Sequence, residues 1–251
     1  MTDQAADEPE RPLPGGFVNT VVRVGDTVRR PATAASGFVR DLLRHLERCR
    51  WTGAPRHLGF DDRGREILTF IEGHVAWEEY QPADVRSDES LVAAARLVRE
   101  FHDLTAGSGL AGDREVVCHN DLSPKNTVYR DPGTGLRPVA FIDWDLAAPG
   151  ARVHDVAHLC WQYAGLGPRA DVDEAARRVR LIADAYELAD RAVLVETILW
   201  WQDRCWRGIA AGADAGEPAM MRLRASGAVD GVRAAHRWTA GHRPVLQRVL
   251  A

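Results

Sequence analysis

Two short apolar segments joined by a glycine-rich turn constrain the fold of this chain more than any other feature of its sequence. The segments are residues 127–129 and 138–142, and the turn between them reads Asp131-Pro132-Gly133-Thr134-Gly135. Short β-rich segments on either side of such a turn predict a β-hairpin. Asp121 precedes this hairpin and Asp143 follows it. We therefore expect the two carboxylates to converge on one cleft.

The loop that leads into the hairpin, residues 119–126, follows a third apolar segment and fits the pattern H-x-D-x-x-x-x-N. Together with an aspartate at the end of a nearby strand, this pattern is typical of phosphoryl transfer. That reaction needs a carboxylate to orient and deprotonate the acceptor hydroxyl, and oxygen ligands to hold magnesium. We predict that Asp121 has the first role and that Asn126 and Asp143 bind Mg²⁺.

With these motifs the chain resembles the aminoglycoside phosphotransferase and choline kinase group, whose members share the protein-kinase-like fold. Its catalytic loop is similar to the H-G-D-x-x-x-x-N loop of that group, with Asn120 where glycine is commoner. The resemblance covers most of the chain from about Leu13. The other segments that carry it are residues 13–24, 71–73, 141–145 and 154–157.

The order of the predicted elements indicates the fold class. Strand-like segments come first and helical ones later, which fits a two-lobed α+β architecture with a cleft between the lobes. The resemblance implies a bilobal fold with a small antiparallel sheet lobe and a larger, mainly helical lobe. We expect a disordered tail over residues 1–10, a nucleotide-binding lobe over 11–72, and a catalytic and substrate-binding lobe over 73–251.

Hydrophobic periodicity places the individual elements. Two hairpins are predicted in the amino-terminal lobe, at residues 18–24 with 26–30 and at residues 56–60 with 66–70. Apolar residues at helical spacing predict helices over residues 37–49 and 88–104. Another helix, over residues 153–162, begins a helical remainder that reaches residue 250.

The nucleotide, ATP or GTP, is expected between the lobes. Glycine permits backbone N–H groups to approach phosphates closely, so Gly15 and Gly16 are candidate ligands, with an ordinary turn as the alternative. The resemblance implies that residues 71–73 form the hinge, where Ile71 and Gly73 would offer backbone groups to the base.

A basic residue on the third strand should contact the phosphates, but the chain has no lysine there. By analogy with a V-x-K spacing we choose Arg30 as this residue, with Arg29 as the alternative on the other face of the strand. Val39 occupies the helix position where the resemblance implies a partner glutamate. Because this ion pair is missing, two alternatives to a fully active enzyme stay open: a weak kinase and a nucleotide-binding relic.

Further polar residues near the two motifs have assigned roles. Lys125 could reach the γ-phosphate as a catalytic residue, and a solvated loop lysine is the alternative. We place Asp145 in the magnesium shell and expect Asp155 to cap a helix that begins at Val156. His119 is interpreted as a structural histidine bonded to the backbone. His102, at the end of its helix, is also interpreted as structural.

Composition excludes several classes of protein. The 251 residues carry a net charge of −4, which does not suggest bulk nucleic-acid binding, and no apolar run is long enough for a membrane span. The four cysteines are scattered without C-x-x-C spacing. We expect a cytoplasmic protein with reduced thiols and no zinc site.

The carboxy-terminal third should bind the acceptor. It contains tryptophans at helical spacing and three acidic residues, Glu196, Asp203 and Asp155. An aromatic and acidic pocket would suit a cationic or polyhydroxylated small molecule, whereas tryptophans that simply fill a core are the alternative. The tryptophans are Trp161, Trp200, Trp201, Trp206 and Trp238.

Taken together, the sequence predicts an ATP- or GTP-dependent, magnesium-dependent phosphotransferase that acts on a hydroxyl of a small molecule. A non-catalytic nucleotide-binding regulatory module is the main alternative. A protein substrate is disfavoured because no A-P-E element follows Asp143. The acceptor and the oligomeric state stay open.

Overall fold

The computed structural model describes residues 9–14 and 21–251. The predicted phosphate ligands Gly15 and Gly16 lie outside the described residues, as do residues 1–8 of the predicted tail. The proposed division into lobes at residue 72 stays a prediction.

An antiparallel sheet forms the amino-terminal part of the described chain. Its strands are β1 (Arg11–Pro12), β2 (Val22–Val24), β3 (Thr27–Pro31), β4 (His57–Phe60) and β5 (Arg65–Thr69). They lie in the order β1-β2-β3-β5-β4. The register of β3 and β5 places Arg30 opposite Glu66, and both of these side chains are buried. The pairing of two strands thus brings two charged groups together inside the protein.

Helix α1 (Ser36–Arg48) packs beside this sheet and contacts β4. Its buried residues, Val39, Leu42, Leu43 and Leu46, recur every three or four positions and so share one face. Val39 belongs to this apolar stripe, which explains why a charged residue is unsuited to that position.

Five short strands surround the catalytic loop. They are β6 (His74–Val75), β7 (Val116–Cys118), β8 (Thr127–Arg130), β9 (Arg137–Phe141) and β10 (Ala148–Gly150). β8 and β9 form the predicted hairpin, and β6 pairs with β8. β10 pairs with β7, which returns the chain after Asp145 to the strand before the loop. β6 and β10 were not predicted, because strands this short show no periodicity.

The rest of the described chain is mainly helical. The helices are α2 (Asp88–Thr105), α3 (Arg152–Tyr163), α4 (Val172–Tyr186), α5 (Leu194–Asp214), α6 (Pro218–Ala225), α7 (Ala228–Gly241) and α8 (Arg243–Arg248). Hydroxyl and carboxylate caps start two of them: Ser87 accepts from the Ser90 amide at α2, and Asp171 accepts from the Glu174 amide at α4. The predicted helices 37–49, 88–104 and 153–162 differ from the observed ones by no more than one residue at either end.

One continuous apolar core joins α1 to the helices beyond the catalytic hairpin. At its centre the ring of Trp144 packs edge-on against Phe101 (centroids 4.9 Å apart) and Trp51 (6.4 Å). Burial of such an aromatic side chain stabilises a fold by about 2–3 kcal/mol. Across residues 9–14 and 21–251, no helix combines the length and apolar character that crossing a bilayer requires.

Candidate active site

Asp121 lies in the loop between β7 and β8 and is held by Asn126. The Asn126 side-chain Nδ2 donates to Asp121 Oδ2 and to the Asp121 carbonyl oxygen, each at 2.8 Å. Burial raises the pKa of Asp121 to about 7, and the negative charge of Asp143 adds to this effect. A carboxylate whose pKa lies near neutral pH is suited to accept a proton. The amide oxygen of Asn126 is left for another ligand.

Asp143 and Asp145 follow the end of β9 and flank the buried Trp144. Trp144 donates from Nε1 to the Phe141 carbonyl at 3.0 Å and is 1% exposed, whereas the Asp143 side chain is 55% exposed. Asp143 has a φ of 64°, in the left-handed region that few non-glycine residues adopt. Desolvation in the cleft raises its pKa, as does the neighbouring charge of Asp145.

Asp155 fixes the start of the catalytic loop. Its carboxylate accepts from the backbone N–H of His119 at 2.7 Å and of Asn120 at 2.8 Å, and bonds with His102 Nε2 at 3.0 Å. Burial alone would raise the pKa of Asp155, but these partners hold it below its usual value. The predicted helix cap at Asp155 is wrong: α3 begins at Arg152, and the carboxylate turns inward to the loop.

His119 joins the loop to the end of β9. Its ring bonds the Ile142 carbonyl through Nε2 at 3.1 Å, and Nδ1 accepts from the Asp121 amide at 3.3 Å. Burial lowers the pKa of His119 to about 4, so the ring is neutral at pH 7. The expectation of a structural histidine bonded to the backbone is confirmed. His102, which also bonds Tyr186 (2.7 Å), is structural as well.

His102, Cys118 and Asp155 bring three potential metal-ligand atoms within 4.8 Å of one another. Each already has a hydrogen-bond partner, since the Cys118 thiol donates to the Ala151 carbonyl at 3.3 Å. Burial also raises the pKa of Cys118 far above its usual value, which disfavours the thiolate that binds metal. The group therefore acts as a hydrogen-bonded support for the catalytic loop.

Arg30 reaches the cleft from β3. Its Nε donates to Glu66 Oε2 at 2.9 Å, and its Nη1 lies 2.7 Å from Asp145 Oδ1 and 4.0 Å from Asp143 Oδ1. The alternative, Arg29, extends from the other face of the strand and lies 4.0 Å from Asp61. Of the two arginines, only Arg30 contacts the carboxylates that follow β9.

As expected, α1 offers no partner glutamate to this arginine, but Arg30 has an ion-pair partner that the sequence analysis did not foresee. A glutamate is present, but it comes from the neighbouring strand β5 and not from α1, where Val39 is fully buried. Period-2 alternation could have indicated that Glu66 points inward with the apolar Leu68, but not that it pairs with Arg30. The motifs of the sequence did not indicate Glu66.

The other predicted nucleotide contacts lie at the expected places in the chain. Lys125 is exposed within the single 3₁₀ turn Pro124–Asn126. At Gly73, where φ is 155°, an added Cβ would lie 2.4 Å from Val128 Cγ1, so glycine is required by packing against β8. Ile71 is partly buried. Binding by these residues stays a prediction.

The tryptophans of the carboxy-terminal helices do not form one aromatic pocket. Trp161 and Trp201 are buried, while Trp206 lies between the guanidinium groups of Arg207 and Arg233, 4.5 and 4.7 Å from its ring centre. The exposed Trp200 stacks on a histidine ring at the edge of a surface pocket. Most of these rings therefore belong to the core or to cation–π contacts.

The acidic residues of this region are also paired. Glu196 lies 3.1 Å from Arg243, and Asp203 lies 2.7 Å from Arg207. Asp155 accepts hydrogen bonds from backbone amides of the catalytic loop. Each of these three carboxylates thus already has a partner within the protein.

Comparisons with known proteins agree with this geometry. The model of a family described as "Phosphotransferase enzyme family" matches residues 109–192, which include the catalytic loop and both aspartates after β9. A trifolitoxin immunity protein from Rhizobium leguminosarum bv. trifolii is 35% identical over 204 residues, 70% of this chain and 74% of that protein. The chain belongs to the phosphotransferase enzyme family.

Solved structures of phosphotransferases show the same fold. An ethanolamine kinase from Plasmodium vivax superposes with a TM-score of 0.63 at 13% identity, covering 90% of this chain and 84% of that one. An aminoglycoside phosphotransferase from Streptomyces rimosus, in complex with ADP and streptomycin, gives 0.59 at 18% identity, covering 78% and 91%. The predicted bilobal, protein-kinase-like α+β fold is confirmed.

Proposed function

We propose that this phosphotransferase family member transfers the γ-phosphate of ATP or GTP to a hydroxyl group of a small molecule. The observation that best supports the proposal is the constellation of Asp121, Asn126 and Asp143 at the end of one hairpin, opposite a buried arginine. Each part of this constellation answers a separate requirement of phosphoryl transfer.

Asp121 would act on the acceptor. Its carboxylate is held by the Asn126 amide at 2.8 Å, which fixes its direction without neutralising its charge. With a pKa raised to about 7, it can accept the hydroxyl proton near neutral pH as the bond to phosphorus forms.

Asn126, Asp143 and Asp145 would hold magnesium. They supply the oxygen ligands that this ion prefers. Three carboxylates, those of Glu66, Asp143 and Asp145, lie within 4.0 Å of the single guanidinium of Arg30, so the site carries an excess of negative charge. A divalent cation would offset this excess, and when bound it would neutralise charge on the phosphates.

Arg30 would bind the phosphates, since its Nη1 lies beside the proposed metal ligands and its Nη2 has no hydrogen-bond partner in the described residues. Lys125 is proposed as a second cation near the γ-phosphate, and Ile71 and Gly73 as the hinge that meets the base. Calorimetric titration with each nucleotide distinguishes ATP from GTP.

The non-catalytic alternative has lost its main support. It was motivated by the absence of a carboxylate partner for Arg30, and Glu66 is such a partner at 2.9 Å. The three residues required for transfer are present as well. Catalysis is therefore the better-supported function.

The acceptor is proposed from the comparisons. Related or similarly folded proteins are named for ethanolamine, for streptomycin and for immunity to trifolitoxin. These compounds form a first panel of acceptors, to which we add polyhydroxylated molecules without positive charge, because Glu196 and Asp203 are paired with arginines. A cytoplasmic location stays a prediction.

Calorimetric titration with ATP and GTP, with and without Mg²⁺, tests the nucleotide side. We expect binding that strengthens with Mg²⁺, and then transfer of phosphate to at least one member of the acceptor panel, measured with γ-³²P-labelled nucleotide. Absence of binding to both nucleotides in either condition would reject the proposal.

A further inference from the structure

Glu66 is a fully buried ionisable group beside the cleft. It is 0% exposed, and Arg30, its opposite residue in the β3–β5 pairing, is 7% exposed. A buried carboxylate needs a charged or hydrogen-bonding partner to offset its desolvation, and here the partner is the Arg30 Nε at 2.9 Å. The ion pair is thus part of the sheet itself.

Several polar atoms around this pair have no hydrogen-bond partner in the described parts of the chain. They are Arg30 Nη2, Glu66 Oε1 and both ring nitrogens of His57. His57 Nε2 lies 3.6 Å from Glu66 Oε1, and burial lowers the pKa of His57, so a neutral ring borders the carboxylate. The one positive group of this cluster is Arg30, and an N–H of Arg30 is left to bind another anion.

Arg30 is also attracted from the opposite side. Asp145 lies 2.7 Å from its Nη1, and Asp143 lies 4.0 Å away. Both aspartates are proposed magnesium ligands, so Arg30 already competes with the metal ion at Asp145, and a guanidinium that moved further would compete at Asp143 as well. The contact with Glu66 through Nε opposes this movement, while Nη1 remains beside the aspartates.

We propose that Glu66 is a positioning residue of the phosphotransferase, which rests on the function proposed above. Through Nε it anchors Arg30 beside the metal ligands, where the guanidinium contacts Asp145 but stays 4.0 Å from Asp143 and can bind nucleotide phosphates. Glu66 takes the part that the family resemblance assigns to a helix glutamate, at the position where this chain has the buried Val39.

The test is Glu66→Gln, which keeps the size of the side chain and removes its charge. We expect the Kd for the Mg²⁺ complex of ATP or GTP to rise about tenfold, because a charge-assisted hydrogen bond to Arg30 is weakened. The Mg²⁺ concentration for half-maximal nucleotide binding should rise too. The KM for the acceptor should stay within about twofold.

Asp61→Asn is the matched control. Asp61 is another carboxylate of the same sheet that contacts arginines, 2.8 Å from Arg65 and 4.0 Å from Arg29, but on the side of β3 away from the cleft. The same chemical change there should leave nucleotide and Mg²⁺ affinity unaltered. Circular dichroism and thermal melting of both variants establish that they fold.

A double-mutant cycle separates positioning from general support of the sheet. If Glu66 acts through Arg30, adding Glu66→Gln to Arg30→Gln should cause less than about a twofold further loss of nucleotide affinity. A full additional loss would overturn the positioning role, as would unchanged affinity in folded Glu66→Gln. If the wild-type protein binds neither nucleotide, the proposed function fails; if wild type binds and Glu66→Gln binds equally well, only the positioning role fails.

Discussion

The catalytic loop and strand β3 hold their polar side chains in different ways. In the loop, carboxylates and rings bond to backbone groups: Asp155 to two amides, His119 to a carbonyl and an amide. On the strand, Arg30 depends on the side chain of Glu66, which is distant in sequence. Side chains that bond to the backbone of the loop can be recognised from a short sequence motif. A pair of side chains on two neighbouring strands depends instead on the register of the sheet.

The largest expected effect is on turnover, from Asp121→Asn in the loop. The variant keeps the size of the side chain but removes the base, so kcat should fall about 10³-fold while the Kd for nucleotide stays within about twofold. Steady-state kinetics and calorimetry on the same preparation measure the two quantities. Unchanged kcat would remove Asp121 as the base.

Asp155→Asn should instead reduce stability. The asparagine can accept only one of the two amide hydrogen bonds without placing its own donor against the other N–H. The free energy of unfolding should therefore fall by about 3 kcal/mol, as measured by urea denaturation. Asp143→Asn is the control, because that side chain is half exposed and makes no such bonds to the loop. Equal losses in the two variants would contradict the supporting role of Asp155.

The loop should also be acid-sensitive through His119. Its pKa in the folded protein is about 4, below the ordinary value of 6.5. Between these values the unfolded chain binds more protons, so stability falls as pH falls. For His119 alone we expect a loss of about 2 kcal/mol between pH 7.5 and pH 5. Urea denaturation at both pH values should show a smaller difference in His119→Gln, and an equal difference would exclude His119 as the cause.

Asn120→Gly should have the smallest effect. Glycine adopts the φ of 64° without strain, but the substitution removes the hydrogen bond from Asn120 Nδ2 to the Leu146 carbonyl at 2.9 Å. These contributions oppose each other, so the free energy of unfolding should change by less than about 1 kcal/mol. Initial rates should stay within about threefold of wild type. A large loss of activity would show that the asparagine side chain is needed in the site.

The same contrast explains which features of the fold and the site could be predicted from the sequence. The hairpin, the convergence of Asp121 with Asp143, and the helices could be predicted because turn residues and periodicity are local signals. The partner of Arg30 and the inward turn of Asp155 could not, because each depends on which distant segment lies alongside. Asp203 and Arg207 lie four residues apart on α5, so helical spacing could have predicted their pairing. The pairing of Glu196 with Arg243 could not be predicted, because it joins two helices that are distant in sequence.

The register of β3 and β5 has a consequence for control of the protein. Arg30 and Glu66 lie opposite each other on two paired strands, so the separation of their backbones is fixed while the sheet is intact. An ion pair formed with a helix can be made and broken by displacing that helix, which gives a cell a way to switch the protein. With its pair built into a sheet, Arg30 meets its carboxylate partner without any movement of a helix.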